Sequence, residues 1–289
     1  TQLNPLVDDV CYRHPDRPTA LSCTRCGRSA CPECLRTASV GHHCVDCVNE
    51  GRATTRANDP ITARSGPDIK PYITYGLIAV NAVLFVIAQL QENSYGFSEV
   101  MLRGSLVSGM DTENEYWRLI TSGFLHWSVM HLAVNMLSLY FVGPQLERLF
   151  GPSRYLAIYL ISLLGGSGLV MALERNPTLT AGASGAIYGL MGALLVVVIK
   201  MKLSPTMVLA VIGFNLVLSI GLPNISLYGH LGGLIFGALA AAAVIWLPAR
   251  VLPPEKRVMA EVSRVGWYGL TVLAVIAIAL GTVFAATAG

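Results

Sequence analysis

Seven long apolar segments follow one another between Tyr72 and the end of the chain. Each is close to the ~20 residues that a helix needs to cross the ~30 Å hydrocarbon core of a bilayer. Only 13% of the 289 residues are charged, whereas soluble domains carry about 25%. The sequence therefore predicts an all-α polytopic membrane protein. The predicted spans are Tyr72–Leu90, Thr121–Val142, Tyr155–Leu173, Ala181–Ile199, Pro205–Leu222, Leu227–Leu247 and Trp267–Ala288.

All seven cysteines precede residue 48, which divides the chain into parts with different chemistry. Residues 1–50 are predicted to form a small metal-stabilised module, and the Gly, Pro and polar residues of 51–70 are typical of a linker. Residues 71–250 hold six spans, and 251–289 hold a cytoplasmic loop and the seventh. The polar N-terminus has no basic run followed by an apolar stretch, so no secretory signal is expected.

Lys and Arg residues concentrate in alternate loops, and such loops face the cytoplasm. This pattern predicts a cytoplasmic N-terminus and a C-terminal tail on the outer side. We expect the membrane to be the plasma membrane. The segment from Gln91 to Tyr116 becomes a long outer loop, which is as compatible with an element lying in the membrane interface as with an ordinary loop. The loops assigned to the cytoplasm hold Arg148, Arg154, Lys200, Lys202, Arg250, Lys256, Arg257 and Arg264.

Polar residues inside the predicted spans indicate a functional site, because burying them in lipid is costly. Spans 2, 4 and 6 all run from the outer to the inner side, so their first turns share the outer half of the membrane. The side chains of His131, Asn135, Ser184 and His230 can therefore meet at similar depth. His126 also falls within the predicted second span.

Small residues provide a means of close approach between spans 4 and 6. Gly229, Gly233 and Gly237 recur every four residues beside His230, and Gly185 and Gly189 do the same beside Ser184. Paired faces of this kind let two helix backbones pack closely, which would bring the hydroxyl and the imidazole within hydrogen-bond reach. Glycines that serve packing alone would give the same spacing.

A serine beside a histidine is the minimal activated nucleophile, because the imidazole takes the hydroxyl proton during attack. No Asp or Glu occurs between Glu174 and Glu255, so a two-residue dyad of Ser184 and His230 is the economical interpretation. Tyr188, one turn after the serine, could support the imidazole ring. A lone intramembrane serine is more often bonded to a backbone carbonyl, and a lone histidine is also found as a structural group or a proton relay.

Acyl transfer also needs hydrogen-bond donors aimed at the developing oxyanion. His131 and Asn135, four residues apart on one face of span 2, are the side chains available, and the backbone N–H of Ser184 is a further candidate.

Several motifs together resemble the rhomboid family of intramembrane serine proteases, over about residues 70–247. The motifs are Trp117-Arg118, FLHWSVMHLAVNM from Phe124 to Met136, Glu147, Gly151, GASGAIYG from Gly182 to Gly189, and GHLGGLIFG from Gly229 to Gly237. The resemblance implies a six-helix core with Ser184 as nucleophile and His230 as general base. It also implies that His131 and Asn135 help line the oxyanion hole and that Tyr188 stacks on His230.

The resemblance further implies the substrates and the roles of some neighbouring residues. Rhomboid proteases cleave single-span membrane proteins within or beside the transmembrane helix. His126 and the Trp117-Arg118 pair match positions expected to be structural, and the seventh span matches family members with one helix added after the core.

Two other functions are compatible with parts of this pattern. A non-catalytic rhomboid relative that binds or escorts membrane proteins would typically lack the serine or the histidine, and this chain has both. A transporter with His131 and His230 as proton relays is disfavoured, because the spans show no obvious inverted repeat and spans 4 to 6 carry no carboxylate.

The cysteines pair at the short spacing typical of structural zinc sites. Together with one histidine they form eight ligands, enough for two tetrahedral Zn²⁺ ions, and no metal is expected in the catalytic site. A reducing cytoplasm disfavours the alternative of a disulfide framework. The predicted ligands are Cys11, His14, Cys23, Cys26, Cys31, Cys34, Cys44 and Cys47.

The cysteine spacing resembles a cross-braced, B-box-like finger, in which the first and third pairs share one ion and the second and fourth share the other. His42 or His43 could replace Cys44 as a ligand. Residues 1–70 hold nine Lys and Arg against eight Asp and Glu, which disfavours nucleic acid as a partner. A module of this kind usually binds another protein, and the remaining partners predicted are the lipid bilayer and transmembrane protein substrates.

Overall fold

The computed structural model describes residues 9–38, 41–58, 70–92, 98–108, 115–221 and 225–286. The chain divides into two compact units, Thr1–Ala63 and Arg64–Gly289. The boundary falls inside the predicted linker, but the first part of that linker is helical, because a helix that begins at Val45 continues to Asn58. The rest of the predicted linker lies outside the described residues.

The N-terminal unit consists of short elements around buried cysteines. Two antiparallel hairpins, β1 with β2 and β3 with β4, are followed by helix α1. The only apolar side chains other than cysteine in its buried core are Ala30 and Leu35, among the described residues. The elements are β1 Val10–Cys11, β2 His14–Pro18, a 3-10 turn Pro32–Cys34, β3 Leu35–Thr37, β4 His42–Cys44 and α1 Val45–Asn58.

The second unit is a helical membrane unit with one small sheet. Strands β5 and β6 pair antiparallel, and both are too short for sequence periodicity to reveal them. The elements are α2 Tyr72–Leu90, α3 Glu99–Gly104, β5 Leu106–Ser108, α4 Arg118–Thr121, a 3-10 turn Ser122–Phe124, α5 Val129–Phe150, α6 Pro152–Leu173, β6 Thr178–Thr180, α7 Ser184–Lys200, α8 Thr206–Gly221, α9 Leu227–Ile245, α10 Leu247–Val251 and α11 Met259–Ala286.

All seven predicted spans correspond to apolar helices in the described part of the chain. Five of them, α2, α5, α6, α9 and α11, are long and apolar enough to cross a membrane. The fourth and fifth, α7 and α8, are shorter, with 17 and 16 residues. The chain is therefore an all-α polytopic membrane protein, as the sequence predicted.

The predicted start of the second span at Thr121 is wrong. Helix α5 begins at Val129 because the Ser128 side chain caps it, accepting a hydrogen bond from the His131 backbone N–H over 3.2 Å. It ends at Phe150, well past the predicted end at Val142, and is followed by Gly151, whose φ of 79° no longer allows the helix to continue. Hydropathy cannot detect a cap, and His126 consequently lies before the helix rather than in it.

Smaller differences at other helix ends have similar causes. Helix α7 begins at Ser184 rather than Ala181, and α6 begins at Pro152, a residue suited to the first helical turn. Helix α11 begins at Met259, before the predicted Trp267. Its start contains charged residues, so it lies outside the apolar segment from which the span was predicted.

Helices α6, α7 and α9 form the core of the membrane unit. A Cβ atom built on Gly233 of α9 would collide with the backbone carbonyl oxygen of Gly185 on α7, and one on Gly237 would collide with that of Gly189. The two backbones are therefore in direct contact along the glycine faces that the sequence indicated. Helix α6 is the most enclosed of the long spans, with 67% of its apolar window buried against 17% for α11.

Candidate active site

Ser184 and His230 come together where α7 and α9 both begin. Ser184 is the first residue of α7, and His230 lies in the first turn of α9, which is capped by the Ser226 side chain. The Ser184 Oγ lies 2.8 Å from the His230 Nε2. The glycine contacts deeper in the two helices make this approach possible.

The His230 ring is held on two further sides. Tyr188, one turn into α7, stacks on it with a centroid distance of 4.0 Å and an interplanar angle of 12°. The second ring nitrogen, Nδ1, lies 2.7 Å from the Ser219 Oγ on α8. His230 is only 6% exposed, so both ring nitrogens are bonded within the protein.

Ser219 was not among the sequence-predicted site residues. It sits near the end of α8, the helix that precedes α9 in the chain. The end of span 5 must therefore reach the same depth as the start of span 6. The polar character of Ser219, at the end of the predicted fifth span, could have indicated from the sequence that it belongs to the site.

His131 and Asn135 approach the serine from α5. A Cβ atom built on Gly182 would lie 2.8 Å from His131 Cε1 and 3.6 Å from the Ser184 Oγ, so these groups surround one small space. Asn135 is buried, and its Nδ2 donor has no hydrogen-bond partner among the described residues. Gly182 has a φ of 144° and is fixed by a backbone bond from its N–H to the Ser122 carbonyl over 2.9 Å.

The residues named so far line a cavity of about 620 Å³. Its wall includes the apolar side chains of Trp127, Met130, Leu163, Met191 and Ile225. A cavity of this size with few convergent polar groups is typical of a site that takes a small segment of a ligand.

The other motif residues contact their surroundings rather than Ser184. Trp117 and Arg118 donate to backbone carbonyls of the α3 region, with Arg118 reaching Leu102 and Ser105 over 2.7 and 2.8 Å. His126 is buried, and its ring contacts the edge of the His131 ring at a centroid distance of 5.0 Å. These contacts agree with the structural role that the resemblance implies.

Glu147 ties α5 to the start of α2. Its fully buried carboxylate accepts hydrogen bonds from the backbone N–H groups of Ile73 and Thr74 and from the Thr74 hydroxyl, over 2.7 to 2.9 Å. A carboxylate at a helix N-terminus satisfies unpaired N–H groups and complements the helix dipole.

The N-terminal unit brings its eight predicted ligands into two groups of four. The ligand atoms within each group all lie within 4.8 Å of one another, and the pairing is the cross-braced one that the spacing suggested. Cys44 belongs to its group, whereas His42 and His43 belong to neither. One group is Cys11, His14, Cys31 and Cys34, and the other is Cys23, Cys26, Cys44 and Cys47.

The spacing of the ligand atoms fits a tetrahedral ion. Zn²⁺ with sulfur ligands at about 2.3 Å and nitrogen at about 2.0 Å places sulfurs about 3.8 Å apart and sulfur and nitrogen about 3.5 Å apart. The His14 Nδ1 lies 3.7, 3.4 and 3.5 Å from the sulfurs of Cys11, Cys31 and Cys34. The sulfurs of Cys26 and Cys44 are 3.7 Å apart.

The electrostatics lower the pKa of two thiols in each group, whereas burial raises the pKa of the Cys34 thiol to about 11 and that of the Cys47 thiol to about 12. Burial alone would raise the pKa of the Cys11 thiol, but hydrogen bonds from the backbone of Cys31 and Arg13 lower it to about 6. In the other group the Arg28 guanidinium donates to the Cys26 sulfur over 3.4 Å and holds the pKa of that thiol below its ordinary value. Because thiolate is the form that binds a metal, the two groups could each hold a divalent cation.

Comparison with known proteins places this chain among rhomboid proteins. The Rhomboid domain matches residues 113–247. The chain is 36% identical over 180 residues to rhomboid protease GluP of Bacillus subtilis, covering 61% of this chain and 35% of GluP. It is 37% identical over 156 residues to inactive RHOMBOID-like protein 8 of Arabidopsis thaliana, covering 50% of this chain and 44% of that protein.

The chain thus spans less than half the length of these two relatives. A third relative is YdcA of Bacillus subtilis, which is also named as a rhomboid protease. The match covers a larger share of YdcA than of the other two relatives. The chain is 33% identical to it over 177 residues, which are 58% of this chain and 86% of YdcA. The Rhomboid domain match at residues 113–247 includes the helices that carry Ser184 and His230. With the match over most of YdcA, it shows that the chain belongs to the rhomboid family.

Proposed function

We propose that this protein is an intramembrane serine endopeptidase that uses Ser184 and His230 as a catalytic dyad. The observation that carries the proposal is the 2.8 Å contact between the Ser184 Oγ and the His230 Nε2. It lies in a cavity between membrane-spanning helices. The names of GluP and YdcA support a protease of this family.

Acylation begins when the Ser184 Oγ attacks the carbonyl carbon of the scissile peptide bond. His230 Nε2 takes the hydroxyl proton as the new C–O bond forms. The same proton is then given to the leaving nitrogen, the C–N bond breaks, and the acyl group stays on Ser184. Tyr188 holds the ring by stacking while the imidazole carries the positive charge.

The tetrahedral intermediates carry negative charge on the former carbonyl oxygen. His131 and Asn135 are the side chains that donate to it, and the backbone N–H of Ser184 adds a third donor, because the first N–H groups of a helix have no intrahelical partner. The unpaired Nδ2 of Asn135 supports this role. One such donor is worth about 3–4 kcal/mol of transition-state stabilisation.

Hydrolysis of the acyl-enzyme requires water at a buried site. His230 takes a proton from that water as its oxygen attacks the ester carbonyl, and returns the proton to the Ser184 Oγ as the C–O bond breaks. Since both catalytic residues lie in the first turns of their helices, water has the shortest path from the outer face of the membrane.

The substrates are proposed to be single-span membrane proteins. A transmembrane helix hides its carbonyls in hydrogen bonds, so a substrate must unwind locally before its carbonyl reaches Ser184. The apolar wall of the cavity suits such a segment better than a charged peptide. The orientation that the basic loops predict places this event near the outer face of the plasma membrane, with the N-terminal unit in the cytoplasm.

The two cysteine groups are proposed to hold structural Zn²⁺. The ion would be the group around which the N-terminal unit folds, and it takes no part in peptide hydrolysis. A closed set of four protein ligands leaves no position for water or substrate. The usual purpose of such a module is to bind another protein.

A fluorescent fluorophosphonate tests the dyad without any known substrate, because it reacts with an activated serine. The full chain in detergent is labelled as wild type, Ser184→Ala, His230→Ala and Ser162→Ala. Ser162 is the matched control, a buried serine on α6 whose hydroxyl donates to the Ile158 carbonyl over 2.7 Å.

Labelling of wild type and Ser162→Ala, with none in the other two variants, is the expected result. Equal labelling of all four proteins would show that the probe reacts elsewhere. The absence of labelling in a folded wild type would instead favour a non-catalytic binder or escort, and one relative is named as inactive. Either result rejects the dyad.

A further inference from the structure

We infer that Ser219 of α8 is a positioning residue that sets the tautomer of His230. The inference rests on the proposed function, since a tautomer matters for catalysis only if His230 is the base. Its basis is the contact of 2.7 Å between the Ser219 Oγ and the His230 Nδ1. This is the position that a carboxylate occupies in a catalytic triad.

The direction of this hydrogen bond follows from the number of protons available. The Ser219 Oγ also lies 2.8 Å from the Asn215 backbone carbonyl, one turn earlier in α8. A carbonyl oxygen can only accept, and a hydroxyl has a single proton to donate. When Ser219 donates that proton to Asn215, it can only accept from His230, so Nδ1 must carry the ring proton.

The opposite arrangement leaves one contact without a proton. If Ser219 donated to Nδ1, its oxygen lone pairs would face the Asn215 carbonyl oxygen at 2.8 Å with no proton between them. Two acceptor oxygens at this distance repel each other, and a buried, low-dielectric site strengthens that repulsion. His230 Nε2 would then carry the ring proton and donate it to the Ser184 Oγ, so it could not act as the base.

The tautomer set in this way is the one that a general base needs. With the proton on Nδ1, the lone pair of Nε2 faces the Ser184 hydroxyl at 2.8 Å. Stacking on Tyr188 fixes the plane of the ring but does not distinguish the two nitrogens. Ser219 is therefore the group that distinguishes them, and a neutral hydroxyl does so without a buried charge.

The location of Ser219 links this function to α8. Only Ile212 and Ser219 are buried among the described side chains from Thr206 to Ile220. An otherwise exposed helix thus directs one of its two buried side chains at the catalytic imidazole. Serines that bond back to the carbonyl four residues earlier are ordinary in membrane helices, but this one also accepts from a second group.

The direct test is the ¹⁵N spectrum of the imidazole in histidine-labelled protein, at a pH where His230 is neutral. The His230 signals are those that disappear in His230→Ala. We expect wild type to show a protonated Nδ1 and an unprotonated Nε2, and Ser219→Ala to show two intermediate shifts as the tautomers mix. A wild type with the proton on Nε2, or no change in Ser219→Ala, overturns the inference.

The second readout is the rate of fluorophosphonate labelling. We expect Ser219→Ala to react about fivefold more slowly than wild type, the effect of one neutral hydrogen bond of about 1 kcal/mol. Ser219→Thr, which keeps the hydroxyl, should recover most of the rate. Ser162→Ala removes an equivalent buried hydroxyl on α6 and should react like wild type.

The outcomes separate this inference from the proposed function. Failure of the dyad appears as labelling that survives Ser184→Ala, whereas the spectrum reports the tautomer whether or not the serine reacts. Equal rates for Ser219→Ala and Ser162→Ala would overturn the positioning role with the dyad intact. If Ser219→Ala does not fold, the wild-type spectrum and Ser219→Thr still decide the question.

Discussion

In the N-terminal unit the buried side chains are mostly sulfur ligands, whereas in the membrane unit the closest contacts are made by residues without a side chain. Six of the eight residues in the buried hydrophobic cluster of the N-terminal unit, as far as the structure describes it, are cysteines, so little apolar area is available to hold it together. Between α7 and α9, glycines bring backbone against backbone. On the proposal that each cysteine group holds a metal ion, the first region depends on those ions, whereas the second depends on glycines that leave room for backbone contact.

This difference determines what each region tolerates. A small module with few apolar residues needs a cross-link to fold, so its weak points are the ligands. A membrane unit gains no hydrophobic energy between helices and relies on close packing, so its weak points are the positions where any side chain would intrude.

Metal removal should produce the largest effect. Structural zinc contributes about 10–16 kcal/mol of apparent binding energy to small modules. We expect a strong chelator to expose residues 9–58 to protease while the helices of the membrane unit stay resistant. Limited proteolysis and elemental analysis of the purified chain measure both effects, starting from two Zn²⁺ per chain.

Ligand variants sharpen this test. Cys34→Ala should lower the zinc content to one per chain or less, and His42→Ala should leave it at two, because His42 is exposed on β4 and outside both groups. A loss of zinc in His42→Ala would contradict the ligand set, and a module that stays folded without metal would contradict its role.

A single methyl group at the α7–α9 contact should have the next largest effect. A Cβ atom at Gly233 would meet the Gly185 carbonyl oxygen, which is backbone and cannot move aside. We expect Gly233→Ala to lower the free energy of unfolding by about 3 kcal/mol, near the upper end of overpacking effects. Labelling at Ser184 should fall in parallel, because the helices that carry the dyad separate.

Gly213 on α8 is the matched control for this variant. A Cβ atom there meets nothing within 4 Å, and alanine favours a helix over glycine by about 1 kcal/mol. Gly213→Ala should be neutral or stabilising in thermal unfolding in detergent. Similar losses for both variants would mean that backbone contact is not what holds α7 to α9.

The meeting of Ser184 and His230 could be predicted from sequence because it depends on span order and on glycine spacing. Span order and glycine spacing can both be read directly from one amino-acid sequence. In the N-terminal unit the repeated spacing of two intervening residues identified the ligand pairs, and the resemblance to a cross-braced finger indicated which pairs lie together.

The features that were missed depend on single local contacts. The start of α5 follows from the Ser128 cap, and hydropathy continues across it without a break. Ser219 resembles any serine bonded to its own helix until the contact of 2.7 Å with His230 is seen. Strands β5 and β6 have three residues each, too few for an alternating pattern.

The buried carboxylate of Glu147 allows a further test of stability in the membrane unit, with a smaller expected effect than Gly233→Ala. Glu147→Gln removes the charge from a group that accepts three hydrogen bonds at the start of α2. We expect a loss of about 2 kcal/mol in the free energy of unfolding, the range of hydrogen bonds to charged groups. Glu99→Gln, which breaks only an exposed pair with Arg103, should change stability by less than about 1 kcal/mol.

The smallest expected effect returns to the N-terminal unit and concerns the charge around its all-cysteine group. Four thiolates and one Zn²⁺ leave a net charge of −2, whereas the group that contains His14 leaves −1. The Arg28 guanidinium lies 3.4 Å from the Cys26 sulfur and 3.7 Å from that of Cys44, so it offsets part of the excess.

Arg28→Gln should therefore release zinc to a competing chelator several-fold faster from one site of the two. Arg36→Gln is the control, because the Arg36 guanidinium donates to the backbone carbonyls of Glu33 and Leu35. Biphasic release in Arg28→Gln with unchanged kinetics in Arg36→Gln would support the role of the charge. Equal acceleration of both phases would mean that Arg28 acts on the fold of the whole module, since it also stacks on Tyr12 and pairs with Asp46.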